Sequence, residues 1–270
     1  MTSSGPLPSV LLLGGGKMGG AMLNGWRRAG LGPSYVLDPG PTAAGLAGDL
    51  VAVVAEAASI PAGFRPDAVV LAVKPQMADV ALPGIAPFAA EALVVSIMAG
   101  RTSAGIANLT GASAIVRAMP NTPAAIGQGF TAAFAGPGVS AAQRSLCDGL
   151  LQSIGEVAWV EDESQLDAIT ATSGSGPAYV FLLAELLEAA AIEQGLPPDL
   201  ARRLARRTVA GSGALLAAGT DDAAIMRQAV TSPGGTTQAA LGVLMAPAAW
   251  PDAMSRAVAA ATARSRELSS

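Results

Sequence analysis

The sequence predicts an α/β protein in two parts, a doubly wound parallel sheet at the N-terminal end and an all-helical half at the C-terminal end. Three observations carry this. Short apolar runs alternate with helical stretches up to about residue 161, the rhythm of parallel strands joined by crossover helices. The first apolar run ends in Gly14-Gly15-Gly16-Lys17-Met18-Gly19, a glycine pattern that opens a helix. Beyond that first part no strand pattern follows. A chain of 270 residues has room for two modest domains.

Each element follows from local pattern. Residues 9–13 (Ser-Val-Leu-Leu-Leu) make a buried parallel strand that runs into the glycine turn. Lys17 to Ala29 reads as a helix with Met18, Ala21, Met22, Gly25 and Trp26 close to one face, and Gly30 is placed to end it. Residues 34–37 form a second strand, closed by Asp38-Pro39-Gly40, and a third is expected at 50–54. Asp67 to Val73, stopped by Lys74-Pro75, and Ala92 to Ile97, stopped by Ala99-Gly100, are apolar strands. Further strands are expected near 113–118, 129–134 and 156–160, with a helix over 140–153.

In the second half, residues 165–173, 178–194, 200–218, 222–230, 236–245 and 249–267 suit helices. They are separated by glycine and proline breaks such as Gly174–Pro177 and Ser232–Gly235. The helix over 178–194 is apolar nearly all round, which implies burial on every side. A subunit partner is the simplest cover.

Composition excludes several classes of function. Hydrophobic residues make up 51% and charged residues 13%, the reverse of a disordered chain. The absence of histidine removes Ser-His-Asp and Cys-His triads and histidine metal sites together. The single cysteine, Cys147, allows no disulfide within the chain and is expected to be buried on its helix. A net charge of −4 and 4% aromatic residues lack the footprint of a nucleic-acid binder.

The mean hydropathy of +0.46 raises a membrane reading. Against it, Ala178–Ile192 is interrupted by Glu185 and Glu188, short of the roughly 20 apolar residues a span needs. The stretch from Ala43 to Phe64 contains Asp49, Glu56 and Pro61. Met1 to Pro8 has no basic region of the kind that starts a signal peptide. A cytoplasmic protein without a membrane or nucleic-acid partner, and without a metal, is expected.

The glycine pattern is the first site. Gly14 permits a tight turn, Gly16 lets a pyrophosphate approach the backbone, and Gly19 lets helix and strand pack closely. Gly15, Lys17 and Met18 complete the loop, whose helix-start N–H groups would face an anion. The same fingerprint expects an acidic residue about 20 positions on, and Asp38 sits there. Its carboxylate would bond the ribose hydroxyls of NAD and repel a 2′-phosphate, or it simply begins the turn Asp-Pro-Gly.

The second site is Val230–Thr237, Val-Thr-Ser-Pro-Gly-Gly-Thr-Thr. Turn amides and a helix start suit a carboxylate, with hydroxyls adding directional contacts. The equal alternative is an ordinary N-cap by Ser232 or Thr236. In Asp167–Tyr179 the small residues favour tight helix packing, and Glu163 just upstream reads as a surface carboxylate. Lys74 points either at a cofactor or into solvent. Arg202, Arg203, Arg206 and Arg207 read as a solvated helix face.

At these motifs the sequence resembles the pyrroline-5-carboxylate reductases. The resemblance runs the length of the chain and includes the Gly14–Gly19 loop, Ala72-Val-Lys-Pro75, Ser96-Ile-Met-Ala-Gly100 and Arg117-Ala-Met-Pro-Asn-Thr-Pro123. Ser173-Gly-Ser-Gly-Pro-Ala-Tyr179, Thr231-Ser-Pro-Gly-Gly-Thr-Thr237 and the ending Arg264–Leu268 belong to it too. It implies a Rossmann-type dinucleotide-binding domain over residues 1–161 and a helical dimerisation and substrate-binding domain over 162–270. It implies reduction of 1-pyrroline-5-carboxylate to L-proline by NADPH or NADH. It also implies a homodimer through the helical domain, with assembly into a decamer of five dimers as a further possibility of the family.

Carried over by position, Ser232, Gly234, Gly235, Thr236 and Thr237 would hold the substrate carboxylate. Thr237 would hydrogen-bond the ring nitrogen as the catalytic contact, and Glu163 would lie near the substrate. Ala72, Val73, Lys74, Pro75, Ile97, Met98 and Ala99 would line the dinucleotide. Many relatives carry Ser, Thr or Arg after the second strand, suited to a 2′-phosphate. Asp38-Pro-Gly-Pro stands there in this chain, and the reading leans toward NADH.

Two rival functions share parts of this pattern. A 3-hydroxy-acid dehydrogenase would need a catalytic lysine in the helical half, and no lysine follows Lys74. A dinucleotide-sensing regulator shares the fold but does not account for the small-anion cluster at 231–237.

Overall fold

The computed structural model describes residues 8–269. Its N-terminal part is built on an eight-stranded sheet of order β3-β2-β1-β4-β5-β6-β7-β8. The strands are β1 Val10–Leu13, β2 Ser34–Leu37, β3 Val51–Val54, β4 Ala68–Leu71, β5 Leu93–Ser96, β6 Ile115–Met119, β7 Gly129–Ala135 and β8 Gly155–Val160. The chain starts in the middle, winds outward to β3, then returns across β1 to β4. That reversal is the switch point of a doubly wound sheet.

The apolar runs explain the layers. In β1, β4 and β5 every residue is buried, so alternate side chains feed opposite cores. Leu12, Val70 and Val95 face one core with Trp26, Cys147 and Leu150. Leu11, Val69 and Val94 face the other with Leu82, Ile85 and Ile106. The first core is covered by the helices Lys17–Ala29 and Ala141–Gln152, the second by short turns over 78–89 and the helix Ser103–Thr110. Gly30 ends the first helix in the left-handed region, and Ser140 with Gln143 forms a capping box on Ala141–Gln152.

One strand departs from the expected parallel sheet. β7 runs antiparallel to β6, with Arg117 opposite Phe134, while β8 is again parallel to β7. The connection over 120–128 holds one short helical turn, Thr122–Ile126. A parallel crossover needs a dozen or more residues, so the chain turns back instead.

Packing divides the chain into two units. One runs up to Gly174 and includes the chain from Ala261 onward, and the other is Ser175–Ala260. This differs from a division at residue 161. The helix Gln165–Ile169 and a wider π turn, Thr170–Gly174, replace the single helix expected over 165–173. Leu166 packs with Met119 and Ala132, which ties this segment to the sheet.

In the second unit the helices Gly176–Glu193 and Pro198–Ala218 pack together about the turn at Gly195, joined by Arg202 to Glu188 at 3.1 Å. The helices Ala223–Ala229 and Thr236–Leu244 and the start of Trp250–Ser269 complete it. The expectation that 178–194 is buried on every side is not met within one chain. No residue of Gly176–Glu193 is buried, and Phe181 is 66% and Leu186 54% exposed. By length and composition alone, the helical stretch Gln165–Glu193 would suffice to cross a bilayer, because only Glu185 and Glu188 charge its apolar part. Among the described residues, no cluster of three or more Asp, Glu or Cys side chains could hold a metal ion.

Candidate active site

The carboxyl ends of β1, β4 and β5 lie side by side, and three expected segments follow them. These are Gly14–Gly19, Ala72–Pro75 and Ile97–Ala99. The ladder carries over into the loops: the Ala72 N–H donates to the Leu13 carbonyl at 2.8 Å and the Ile97 N–H to the Leu71 carbonyl at 3.0 Å. Ligands of doubly wound sheets bind at this edge.

The glycines divide their tasks. Gly14 has φ +100°, and a Cβ there would stand 2.7 Å from the Ala72 carbonyl oxygen. A Cβ on Gly19 would strike the Gly14 carbonyl. These two positions close the loop onto its neighbours. Gly16 differs, because a Cβ there would meet nothing within 4 Å. It is the N-cap of Lys17–Ala29, with no side-chain cap and no acidic residue in the first turn. An uncapped helix start beneath an open backbone fits the pyrophosphate of a dinucleotide.

Asp38 makes the turn that one of its two sequence readings expected, and a second bond besides. Its Oδ1 accepts the Gly40 N–H at 2.7 Å, which makes the turn. Its Oδ2 accepts the Gly15 N–H at 2.6 Å, which fastens the glycine loop to the end of β2.

The other cofactor candidates are not equivalent. Lys74 is exposed at the start of the turn Pro75–Met77. Met18, Ala72, Val73 and Ile97 lean on the two cores as half-covered walls. Met98 is 2% exposed and its side chain belongs to the second core, while its N–H donates to the Ser96 Oγ at 3.3 Å, so it could line a ligand only through its backbone.

Glu163 is engaged within the sheet unit. Its Oε1 accepts the Ser103 N–H at 2.7 Å and an Arg117 Nη1 hydrogen at 3.0 Å, and its Oε2 accepts the Ser103 hydroxyl at 2.8 Å. This replaces the surface carboxylate expected from sequence.

In the second unit, Ser232–Thr237 forms a turn into the helix Thr236–Leu244. The Gly235 N–H donates to the Ser232 carbonyl at 3.1 Å, and the Gly234 N–H to the Gln238 Oε1 at 2.5 Å. Neither Ser232 nor Thr236 caps the helix, since Gly235 is the N-cap and no side chain bonds to it there. Ser232, Gly234 and Thr236 are exposed and Thr237 is half-buried.

Sequence reasoning missed the roles of Arg117, Ser103 and Arg101. Arg117 had a visible signal, a charge inside the apolar strand Ile-Val-Arg-Ala-Met. Ser103 and Arg101 had none, because their partners are 60 and 22 positions away. A cavity at the opposite edge of the sheet, lined by Arg65, Asp67, Phe88 and Glu91, lies at the amino ends of β4 and β5.

The family model for pyrroline-5-carboxylate reductase dimerisation matches residues 163–268. One for NADP oxidoreductase, coenzyme F420-dependent, matches residues 9–100. The pyrroline-5-carboxylate reductase of Pseudomonas aeruginosa is 37% identical over 266 residues, 97% of each chain. A solved pyrroline-5-carboxylate reductase from Coxiella burnetii superposes with a TM-score of 0.87 at 33% identity, over 97% of this chain and 98% of the other. The Plasmodium falciparum pyrroline carboxylate reductase, solved with NADP bound, gives a TM-score of 0.83 at 26% identity, over 97% and 98%. Sequence and fold agree along nearly the whole length, and this chain belongs to the pyrroline-5-carboxylate reductase family.

Proposed function

We infer that this chain is an NAD(P)H-dependent oxidoreductase that reduces 1-pyrroline-5-carboxylate to L-proline, the last step of proline biosynthesis. The observation that carries the reading is the open, uncapped backbone at Gly16 in a chain that matches these reductases from end to end. Gly14–Gly19, Ala72–Pro75 and the Ile97–Ala99 backbone would hold the dinucleotide, which when bound supplies a hydride to the C=N carbon.

Ser232–Thr237 suits the substrate carboxylate, because its helix start has no side-chain cap. The Thr237 hydroxyl would orient the ring nitrogen. A cyclic imine can bind already protonated, so orientation matters more than a strong acid, in keeping with a chain that has no histidine. Thr237→Ala is expected to lower kcat/KM for the imine, and an unchanged value would remove that role.

The finer reading of the cofactor is a preference for NADH. Asp38 places a carboxylate at the end of β2, and no Lys or Arg lies between Gly30 and Phe64 to pair with a 2′-phosphate. Residues 162–270 act as the dimerisation and substrate-binding half. A second copy of the chain covers the exposed apolar helix Gly176–Glu193, in place of lipid, and five such dimers form a decamer. The enzyme works in the cytoplasm, apart from nucleic acid.

The test is steady-state oxidation of NADH and of NADPH, in parallel, with pyrroline-5-carboxylate. Turnover with either supports the reductase, and a higher kcat/KM for NADH supports the role of Asp38. No turnover with either would point first to another imine substrate and second to the dinucleotide-sensing reading.

A further inference from the structure

We propose that Glu163 is a positioning residue for the dinucleotide and not a ligand of the imine. The proposal rests on the reading above that Ile97–Ala99 lines the dinucleotide. Glu163, Arg117 and Ser103 form a clasp that holds the segment leaving β5, and with it the Ile97–Ala99 wall.

The geometry shows three donors converging on one carboxylate, two of them from Ser103, the first residue of the helix Ser103–Thr110. Three donors fill most of the acceptor positions a carboxylate offers. The third donor is Arg117, whose side chain is 6% exposed, while that of Glu163 is 25% exposed. Arg117 stands on β6 directly beside Ser96, the last residue of β5. Among the described residues, the ion pair recorded for this buried guanidinium is with Glu163. A buried charge left without its partner is strongly destabilising, so each member holds the other in place.

The segment 97–103 is also fixed from two other sides. Arg101 grips Asp79 with both Nη nitrogens at 2.9 Å, and its Nε–H donates to the Pro75 carbonyl at 3.1 Å. Pro75 belongs to the second cofactor segment, so this grip joins two of the three walls. Gly100 lies against Leu268, close enough that a Cβ would come within 2.7 Å of the Leu268 carbonyl oxygen. The Ser265 hydroxyl near the same chain end donates to Asp167 Oδ1 at 2.7 Å. Ile97–Ala99 follows β5 directly at the carboxyl edge of the sheet, the side on which a ligand of this fold binds. Glu163 therefore acts on the dinucleotide through Ser103 and the backbone that leads to it.

The experiment compares the full-length wild type with Glu163→Ala, Glu163→Gln and Ser103→Ala. NADH binding is measured by fluorescence titration without imine, and KM for pyrroline-5-carboxylate is measured at saturating NADH over a range of pH. Glu163→Ala should weaken NADH binding about tenfold, the scale of a lost charge-assisted contact. Its imine KM should stay within about twofold and its pH profile unmoved, since nothing that touches the imine has changed.

Ser103→Ala removes one hydroxyl donor and should show a smaller effect of the same kind. Glu163→Gln keeps an oxygen for the Ser103 N–H and should fall between. The serine variant keeps the Arg117 pair, so it carries the test should Glu163→Ala fail to fold. A raised imine KM or a shifted pH profile at unchanged NADH affinity would make Glu163 a substrate ligand and overturn the proposal. NADH affinity unchanged in all variants would overturn it too, with the reductase reading intact. A wild type that binds no dinucleotide would overturn both.

Discussion

Gly16→Ala separates a glycine kept for a ligand from one kept for packing. Gly16 has φ −68° and ψ −170°, a conformation alanine adopts without strain, and its Cβ would meet no atom within 4 Å. Two small terms oppose each other in the free protein. Alanine is a poorer N-cap than glycine, at about 0.5–1 kcal/mol. Its lower unfolded-chain entropy returns about 0.4–1 kcal/mol. The net should lie within about 0.5 kcal/mol, or roughly 2 °C in Tm for a chain of this size.

The bound state is different. If a pyrophosphate sits against this backbone, a methyl group there overpacks the contact by about 1–3 kcal/mol. That weakens dinucleotide binding about 5- to 150-fold. Gly19→Ala is the control, because its Cβ would strike the Gly14 carbonyl and Tm should fall even without ligand. Scanning calorimetry of the free protein and fluorescence titration with NADH read the two effects separately. Wild-type NADH affinity in Gly16→Ala would refute the assignment of the open backbone to the dinucleotide. A large fall in Tm would show that Gly16 is kept for packing after all.

Three other outcomes follow from the structure. Trp26 is fully buried between the sheet and Ala141–Gln152, and its indole N–H donates to the Leu150 carbonyl at 3.0 Å. Trp26→Ala should lower stability by about 3–5 kcal/mol in denaturant unfolding, and a loss below about 1 kcal/mol would contradict that packing. Phe181→Asp with Leu186→Asp should convert dimers to monomers in sedimentation at micromolar concentration, since both project from the uncovered helix. An unchanged mass would place the interface elsewhere.

Cys147 is buried, and burial, helped by the neighbouring Asp148, pushes its thiol far above the ordinary value of 9.0. The folded chain keeps a proton that the unfolded chain releases. This contribution to stability is complete below pH 9.0 and is lost as the pH climbs from there toward the raised folded value. Thiol reagents should label Cys147 only after denaturation, and fast labelling of the native protein would refute its burial.

The parts of this protein that are legible in its sequence are those encoded by neighbours. β1, β4 and β5 are unbroken apolar runs, and the glycine loop and the break at Ser232–Gly235 carry their turn chemistry in adjacent residues. Local propensity and periodicity act over a few positions, so such features survive being read one segment at a time. The reversed strand β7, the packing of Gln165–Gly174 on the sheet and the withdrawal of the Met98 side chain into the core are of another kind.

The same holds for Asp38, whose bond to Gly40 is local turn chemistry but whose bond to Gly15 joins residues 23 positions apart. Glu163 is the plainest case. Alone it is one acidic residue in an acidic stretch, and its partners stand 46 and 60 positions away. A buried ion pair is made by bringing distant groups into one low-dielectric place, and no pattern along the chain records which groups those will be. The sequence by itself determined the strands, the loop chemistry and the family, whereas folding in three dimensions chose which charges meet.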